Sequence, residues 1–168
     1  MIRSAEPADA RPIAELQIRV WHRNWADFAQ PAAIQTVEIR EGRWCQWLES
    51  PGVFVSEHDG VITGVIATLP VRDDDLGSGY GEFGVLMVDP PAQRNGIGNA
   101  LHEHGLDSLR EAGFTRVVHW VFVGNEEGEK FLTDRGWAHD GKTGERHTLP
   151  ERRFTRFLSE GDTEHGIG

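Results

Sequence analysis

A run of six residues, Gln93-Arg94-Asn95-Gly96-Ile97-Gly98, stands between a strand-like stretch and a helix-like stretch. Its residue types suit the holding of an anion. Glycine lets the backbone turn so that successive N–H groups point one way, and no Cβ keeps a ligand off. The helix beyond it adds its unpaired first-turn N–H groups and the positive end of its dipole. Gln93 and Arg94 add side-chain donors. Such a cradle suits a pyrophosphate. Three other readings compete. Asn95-Gly96 alone is a hairpin pair, but the residues after it are helix-periodic. A dinucleotide fingerprint needs glycine or alanine where Leu101 stands, and no G-K-[ST] completes a P-loop. A plain turn before a helix stays open at this point.

Proton chemistry has fewer candidates. Glu82 opens the run Glu82-Phe83-Gly84-Val85-Leu86-Met87-Val88 and reads either as a base or as a solvated strand-end carboxylate. Its ordinary pKa near 4.3 is low for that task, so burial or a water chain would have to help. His119, in the middle of an apolar run, is the alternative, because imidazole titrates near neutrality. Trp25 and Phe28, with Trp21, could line a pocket for a cationic amine by cation–π contact, although their helical spacing also reads as core. His102 and His104 lie two apart on a helix and do not face each other, so no metal site is expected. Asp73-Asp74-Asp75 reads as a solvated loop. Cys45, beside Trp44, reads as a small buried apolar group.

The elements that position these residues can be read from periodicity. Met1–Ala5 reads as a short strand, and Ile13, Leu16, Val20, Trp21, Trp25 and Phe28 recur at helical spacing. Pro31 suits the first position of a second helix that carries Ile34, Val37, Trp44 and Leu48. Two apolar runs flank Asp59-Gly60, a hairpin signal. A polar, glycine-rich loop comes next, up to the strand that starts at Glu82. Gly96 to Ala112 reads as a helix stopped by Gly113. Thr115–Val123 reads as a buried strand, and Asn125 to Arg135 as a short helix with Gly136 past its end. A strand pair near Trp137–Asp140 and Glu151–Ser159 closes the order, with a turn after Asp140. The predicted order is β-α-α-β-β-β-α-β-α-β-β. It implies an α/β (α+β) fold with a mixed sheet.

The chain has 168 residues, which favours one domain over 1–160 with a frayed tail at 161–168. With 38% hydrophobic and 26% charged residues it reads as globular. The apolar runs are too short to cross a bilayer, and the N-terminus lacks the apolar core of a secretory signal, so a cytoplasmic location and no membrane partner are expected. A single cysteine excludes a disulfide frame and a thiolate zinc site. The net charge of −10 argues against nucleic acid and is compatible with a cationic substrate. An exposed edge strand is compatible with a homodimer.

Gln93–Gly98, placed after the strand ending in Leu86-Met87-Val88-Asp89-Pro90, resembles the Q/R-x-x-G-x-G/A motif of the GNAT superfamily of N-acetyltransferases. Asn125-Glu126-Glu127-Gly128-Glu129-Lys130-Phe131-Leu132 is similar to that family's N-x-x-A-x-x-x-F-Y pattern. The opening strand and the closing strand pair also resemble the small-molecule branch. The resemblance spans nearly the whole chain. It implies a largely antiparallel, splayed sheet of about seven strands flanked by about four helices. It implies that Gln93, Arg94, Asn95, Gly96, Ile97 and Gly98 wrap the pyrophosphate of acetyl-CoA. Leu86, Met87 and Val88 would pair with pantetheine through their backbone, and Asn125, which also reads as an N-cap, would hold the pantetheine arm.

The activity so implied is direct acetyl transfer from acetyl-CoA to a primary amine of a small molecule, without metal. A backbone N–H near Val88 would stabilise the oxyanion. An amine of pKa about 10.4 needs about 4–5 kcal/mol to free its lone pair at pH 7, whereas a thiol of pKa about 8.5 leaves for about 2 kcal/mol. The base therefore matters more than the acid, and the resemblance implies Glu82 as the first choice, since the family often has a glutamate at that strand start working through water. The family's acid is a tyrosine, and Leu132 stands in its place. That departure supports the alternative, a non-catalytic acyl-CoA-binding or regulatory domain on the same scaffold.

Overall fold

A computed structural model describes residues 1–25 and 35–158. The elements are β1 (Ile2–Ser4), α1 (Ala10–Trp25), α2 (Val37–Trp47), β2 (Val53–His58), β3 (Val61–Pro70), β4 (Tyr80–Val88), α3 (Ile97–Glu111), β5 (Arg116–Phe122), α4 (Glu126–Thr133), β6 (Ala138–Arg146) and β7 (Leu149–Phe157). The seven strands form one sheet in the order β1-β2-β3-β4-β5-β7-β6. Pairs β1/β2, β2/β3, β5/β7 and β6/β7 are antiparallel, and β4/β5 is parallel. The sheet is thus mixed and the fold α/β, as the element order predicts.

Two compact units are distinguished, Met1–Ala67 with Val85–Gly105 and Thr68–Gly84 with Leu106–Gly168. In the first, α1 buries Ile13, Leu16 and Val20. Helix α2 is tied to α1 by Gln17, whose buried amide oxygen accepts from Trp44 Nε1 and Arg40 Nε, both at 2.9 Å. Thr36 caps α2 by accepting from the Ile39 N–H. The hairpin between β2 and β3 turns on Asp59 and Gly60, both at positive φ (50° and 77°), as a tight turn matched to strand twist demands. Gly64 in β3 has a packing reason. A Cβ there would stand 2.7 Å from Leu101 Cδ1, 3.2 Å from Ile97 Cγ2 and 3.2 Å from the Met87 carbonyl oxygen. Its absence lets the start of α3 lie close on the sheet.

In the second unit, β5 buries Val117, Val118 and Val121, and β7 buries Phe154. Phe83 packs against Trp137 at 5.4 Å between ring centroids. Gly81 makes room for Leu109, whose Cδ2 lies 2.7 Å from where a Cβ would be. Gly113 and Gly136, at φ 92° and 84°, end α3 and α4 in the left-handed conformation that glycine adopts at no steric cost.

Three expectations are corrected. β6 does not turn after Asp140. It continues to Arg146 across an irregularity between His139 and Thr143, and the chain reverses at His147-Thr148, both at positive φ. β6 is an edge strand exposed over nearly its whole length, so no apolar alternation marks it. Tyr80 and Gly81 belong to β4 rather than to the preceding loop. Cys45 is exposed, because one step along α2 from the buried Trp44 turns the side chain away from the core. Phe28, Pro31, Ile34 and the tail 161–168 lie outside the described residues.

Candidate active site

The first unit carries the anion cradle. β4 ends at Val88, and Asp89 is then fixed from two sides. Its N–H donates to the Thr63 carbonyl at 2.9 Å, and its carboxylate receives both Nε and Nη2 of Arg19, at 3.0 and 2.9 Å. Pro90–Ala92 form a single 3-10 turn, which proline starts well because it has no N–H to leave unpaired. Gln93 then donates its side-chain amide to the Val88 carbonyl at 3.1 Å, folding the turn back on the strand end. Arg94 and Gly96 both take positive φ, 66° and 78°. The first bond of α3 runs from Ala100 N–H to Gly96 C=O at 3.0 Å. Among the described residues, the N–H groups of Gly96, Ile97 and Gly98 reach no acceptor. A Cβ on Gly96 would meet nothing within 4 Å. The result is a short row of unengaged main-chain donors at the dipole-positive end of a 15-residue helix, next to a basic side chain. Leu86, Met87 and Val88 are half-buried on the strand that leads into it.

The second unit carries the titratable groups. Glu82 is 2% exposed. Arg72 engages both its oxygens, with Nε at 3.3 and 3.1 Å, the Arg72 N–H at 3.2 Å and a close Nη2 contact to Oε2. These are charge-assisted hydrogen bonds from a guanidinium fork, the kind a buried carboxylate needs. The parallel register of β4 with β5 runs from Tyr80↔Arg116 to Phe83↔His119, and there the His119 side chain takes over, with Nδ1 2.6 Å from the Phe83 carbonyl oxygen. Burial pushes His119 below the ordinary histidine range, so the ring is neutral and Nδ1–H donates.

Periodicity of two places Glu82, Trp120, Arg153 and Glu151 on one face, since Glu82 pairs with Val118, Trp120 with Arg153 and Phe122 with Glu151. Arg153 is 4% exposed and is met by three carboxylates: Asp75 at 2.8 Å through both oxygens, Asp73 at 3.0 Å and Asp140 at 2.7 Å. Trp120 Nε1 donates to the same Asp73 oxygen at 3.0 Å. The loop read as solvated acid is therefore bound to β5 and β7. Glu151, Arg153, Arg72 and Trp120 were not singled out by sequence. The only local sign was two charged residues alternating with Arg152 and Phe154 in β7.

Asn125 caps α4: its Oδ1 accepts from Gly128 N–H at 3.0 Å. Gly128, where the family pattern has alanine, lies so close under that amide that a Cβ would fall 2.5 Å from Nδ2. Leu132 is 2% exposed and belongs to the core. Trp25 closes α1. Among the described residues no cluster of histidine, cysteine, aspartate and glutamate could hold a metal, and no helix is long and apolar enough to cross a membrane.

A strand end, a glycine turn and a helix start in this order define a class of protein, and comparison with known proteins identifies it. Residues 17–137 match the acetyltransferase (GNAT) family. The chain belongs to that family. It is 31% identical over 121 residues to the mycothiol acetyltransferase of Thermomonospora curvata, an alignment covering 72% of this chain and 39% of the relative. It thus spans about two fifths of that relative's length. Among solved structures, the PaiA N-acetyltransferase of Thermoplasma acidophilum, in complex with coenzyme A, superposes with a TM-score of 0.78 at 14% identity, covering 94% of this chain and 98% of that one. YncA of Salmonella typhimurium, with its cofactor acetyl-CoA, gives 0.71 at 24% identity, covering 95% and 94%. Both share the fold.

Proposed function

We propose that the chain is an acetyl-CoA-dependent N-acetyltransferase that moves an acetyl group directly to a primary amine of a small molecule. The observation that carries this reading is the set of unengaged N–H groups at Gly96, Ile97 and Gly98, in a chain of this family. They fit a diphosphate: an anion there gains main-chain hydrogen bonds and the helix dipole without displacing any bond already made. Gln93, Arg94 and Asn95 complete the wrap. Leu86, Met87 and Val88 offer backbone groups to the pantetheine chain, with the Val88 N–H or its neighbour as donor to the carbonyl oxygen, and Asn125 is the further pantetheine contact. Acetyl-CoA, when bound, supplies a thioester carbonyl and a thiolate leaving group.

Glu82 remains the candidate base for this reaction. Acting as the proton acceptor would require Arg72 to let go of it. Trp25 and Phe28 remain the candidates for the amine's apolar part. The activity is soluble and cytoplasmic in this reading, with a small amine as partner.

Buried Leu132 favours one second reading, a non-catalytic acyl-CoA-binding domain. Thiol release from acetyl-CoA with a panel of primary amines separates the two. Release that depends on an amine supports the transferase. Tight binding of coenzyme A with no amine-dependent release supports the binding domain.

A further inference from the structure

Strand pairing in the second unit fixes which side chains share the face that α4 reaches. Phe83 lies opposite His119, and His119 opposite Phe154, so Phe83, His119, Arg152, Phe154 and Arg156 alternate onto one face. Arg152 Nε donates to Glu129 of α4 at 2.8 Å, and Arg156 Nε to the Arg135 carbonyl just past α4 at 2.9 Å. On this side α4 carries buried Leu132 and no tyrosine. The single tyrosine, Tyr80, belongs to the opposite face with Glu82, and its hydroxyl accepts from Arg116 Nη1 at 2.8 Å.

His119 is the residue on the α4 face with the arrangement of a proton carrier. It stands at the last pair of the parallel β4/β5 register. Its Nδ1–H donates to the Phe83 carbonyl at 2.6 Å, and its ring meets the Phe83 ring edge-on at 6.3 Å between centroids. That bond fixes the tautomer, so Nε2 carries a bare lone pair. The ring is half-buried. Among the described residues Nε2 has no hydrogen-bond partner, and it is not sealed from solvent. One nitrogen is thus held while the other is presented. The charged groups that bear on the ring are Glu82 of β4 and Arg146 of β6. On its own face β7 brings Arg152, paired with Glu129 of α4 at 2.7 Å, and β6 brings His139, whose ring lies 5.7 Å from that of Phe154. Three residues beyond Phe83 the same strand reaches Leu86, the first of the residues offered to pantetheine.

Resting on the transferase reading above, we propose that His119 Nε2 carries the second proton of the reaction, from the amine nitrogen to the sulfur of coenzyme A. Loss of the first proton turns the ammonium ion into the free amine, and Glu82 is the candidate for that one. Once bonded to the acetyl carbon, the nitrogen holds one proton too many. Nε2 accepts it, and the N–H electron pair stays on nitrogen. The C–S bond breaks with its pair on sulfur, and the imidazolium returns the proton to that sulfur. Amide and thiol are formed, and the histidine is neutral again. Burial, which holds the ring below the ordinary histidine range, keeps it ready to accept at neutral pH.

The test uses the whole protein, acetyl-CoA, and L-lysine, L-alanine and ethylenediamine as probe amines. His119→Gln should lower kcat at pH 7 by about 100-fold or more and leave coenzyme A affinity within about twofold. Nitrogen-15 NMR of the imidazole gives a second readout on wild type, without turnover, and it decides the matter even where the variant does not fold. Coenzyme A, whose thiol can donate to Nε2, should move the His119 Nε2 signal. Desulfo-coenzyme A, which keeps the diphosphate and lacks the thiol, should leave it in place. A glutamine variant that binds coenzyme A and turns over within about threefold of wild type overturns the role of His119 and leaves the transferase reading standing. So does an Nε2 signal that responds alike to the two ligands when both bind. Wild-type protein that fails to bind coenzyme A overturns the transferase reading itself.

Discussion

Arg19 grips both carboxylate oxygens of Asp89, at 3.0 and 2.9 Å, and so ties α1 to the residue at which β4 gives way to the cradle turn. The pair is partly exposed, so its own contribution to stability is modest, about 1 kcal/mol or less. Its effect on geometry is larger, because Asp89 also donates to Thr63 and starts the turn that carries Gln93. Arg19→Gln is expected to lower the unfolding free energy by about 1 kcal/mol or less in urea titrations. Coenzyme A affinity should fall about tenfold, or about 1.4 kcal/mol.

Gly64 is the second anchor of the cradle. Gly64→Val would press on Leu101, Ile97 and the Met87 carbonyl at once, and the carbonyl cannot step aside as a side-chain tip can. Overpacking of this kind costs about 1–3 kcal/mol, and each kcal/mol is worth about 2–4 °C in Tm for a chain of this size. Calorimetry checks it. An unchanged Tm would mean that α3 lies further from the sheet than described.

The pH dependence of stability carries a signature of His119. Its folded pKa is lowered, chiefly by burial, so the unfolded chain binds the proton first as pH falls. Stability from this group is complete above the unfolded value near 6.5 and declines as pH drops from there toward the folded value. Urea midpoints of wild type should fall between pH 7 and pH 5 more than those of His119→Gln. Equal slopes would show that the ring is not buried neutral.

Asp75 gives the matching signature at acid pH. Its hydrogen bonds from Arg153 hold its carboxyl down to about 2. The benefit is present above the unfolded value near 4 and is lost as pH falls through the folded one. Asp75→Asn should remove that portion of acid sensitivity, read as a flatter stability profile between pH 4 and pH 2.

Leu132 is core, so Leu132→Tyr is an overpacking change before it is a catalytic one. It should lower stability by about 1–3 kcal/mol in urea titrations. Wild-type stability with a tyrosine there would show room for a hydroxyl beside α4.

Much of the fold was legible because each element announces its own period. The Asp59-Gly60 turn, the Gly113 and Gly136 stops and the Asn125 cap are local signals, and local physics decides them. The cradle was legible for the same reason, since six consecutive residues build it. The polar face of the second unit was not. Arg153 meets Asp75 and Asp73 across 78 and 80 residues, and Asp140 across 13, and no local pattern pairs residues at such distances. The grip of Arg72 on Glu82 was not legible either, because Arg72, 10 residues earlier, reads as one more loop charge. β6 was cut short because a strand exposed on both faces has no alternation to read.

The proposed transferase stands or falls with main-chain nitrogen at the start of α3 holding a diphosphate. Isothermal titration of coenzyme A into wild type and Gly98→Trp, with pantetheine as the ligand that lacks the diphosphate, tests this most directly. Wild type should bind coenzyme A measurably and pantetheine at least 100-fold more weakly, and the folded tryptophan variant should lose coenzyme A binding. Coenzyme A bound equally well by wild type and Gly98→Trp would contradict the cradle.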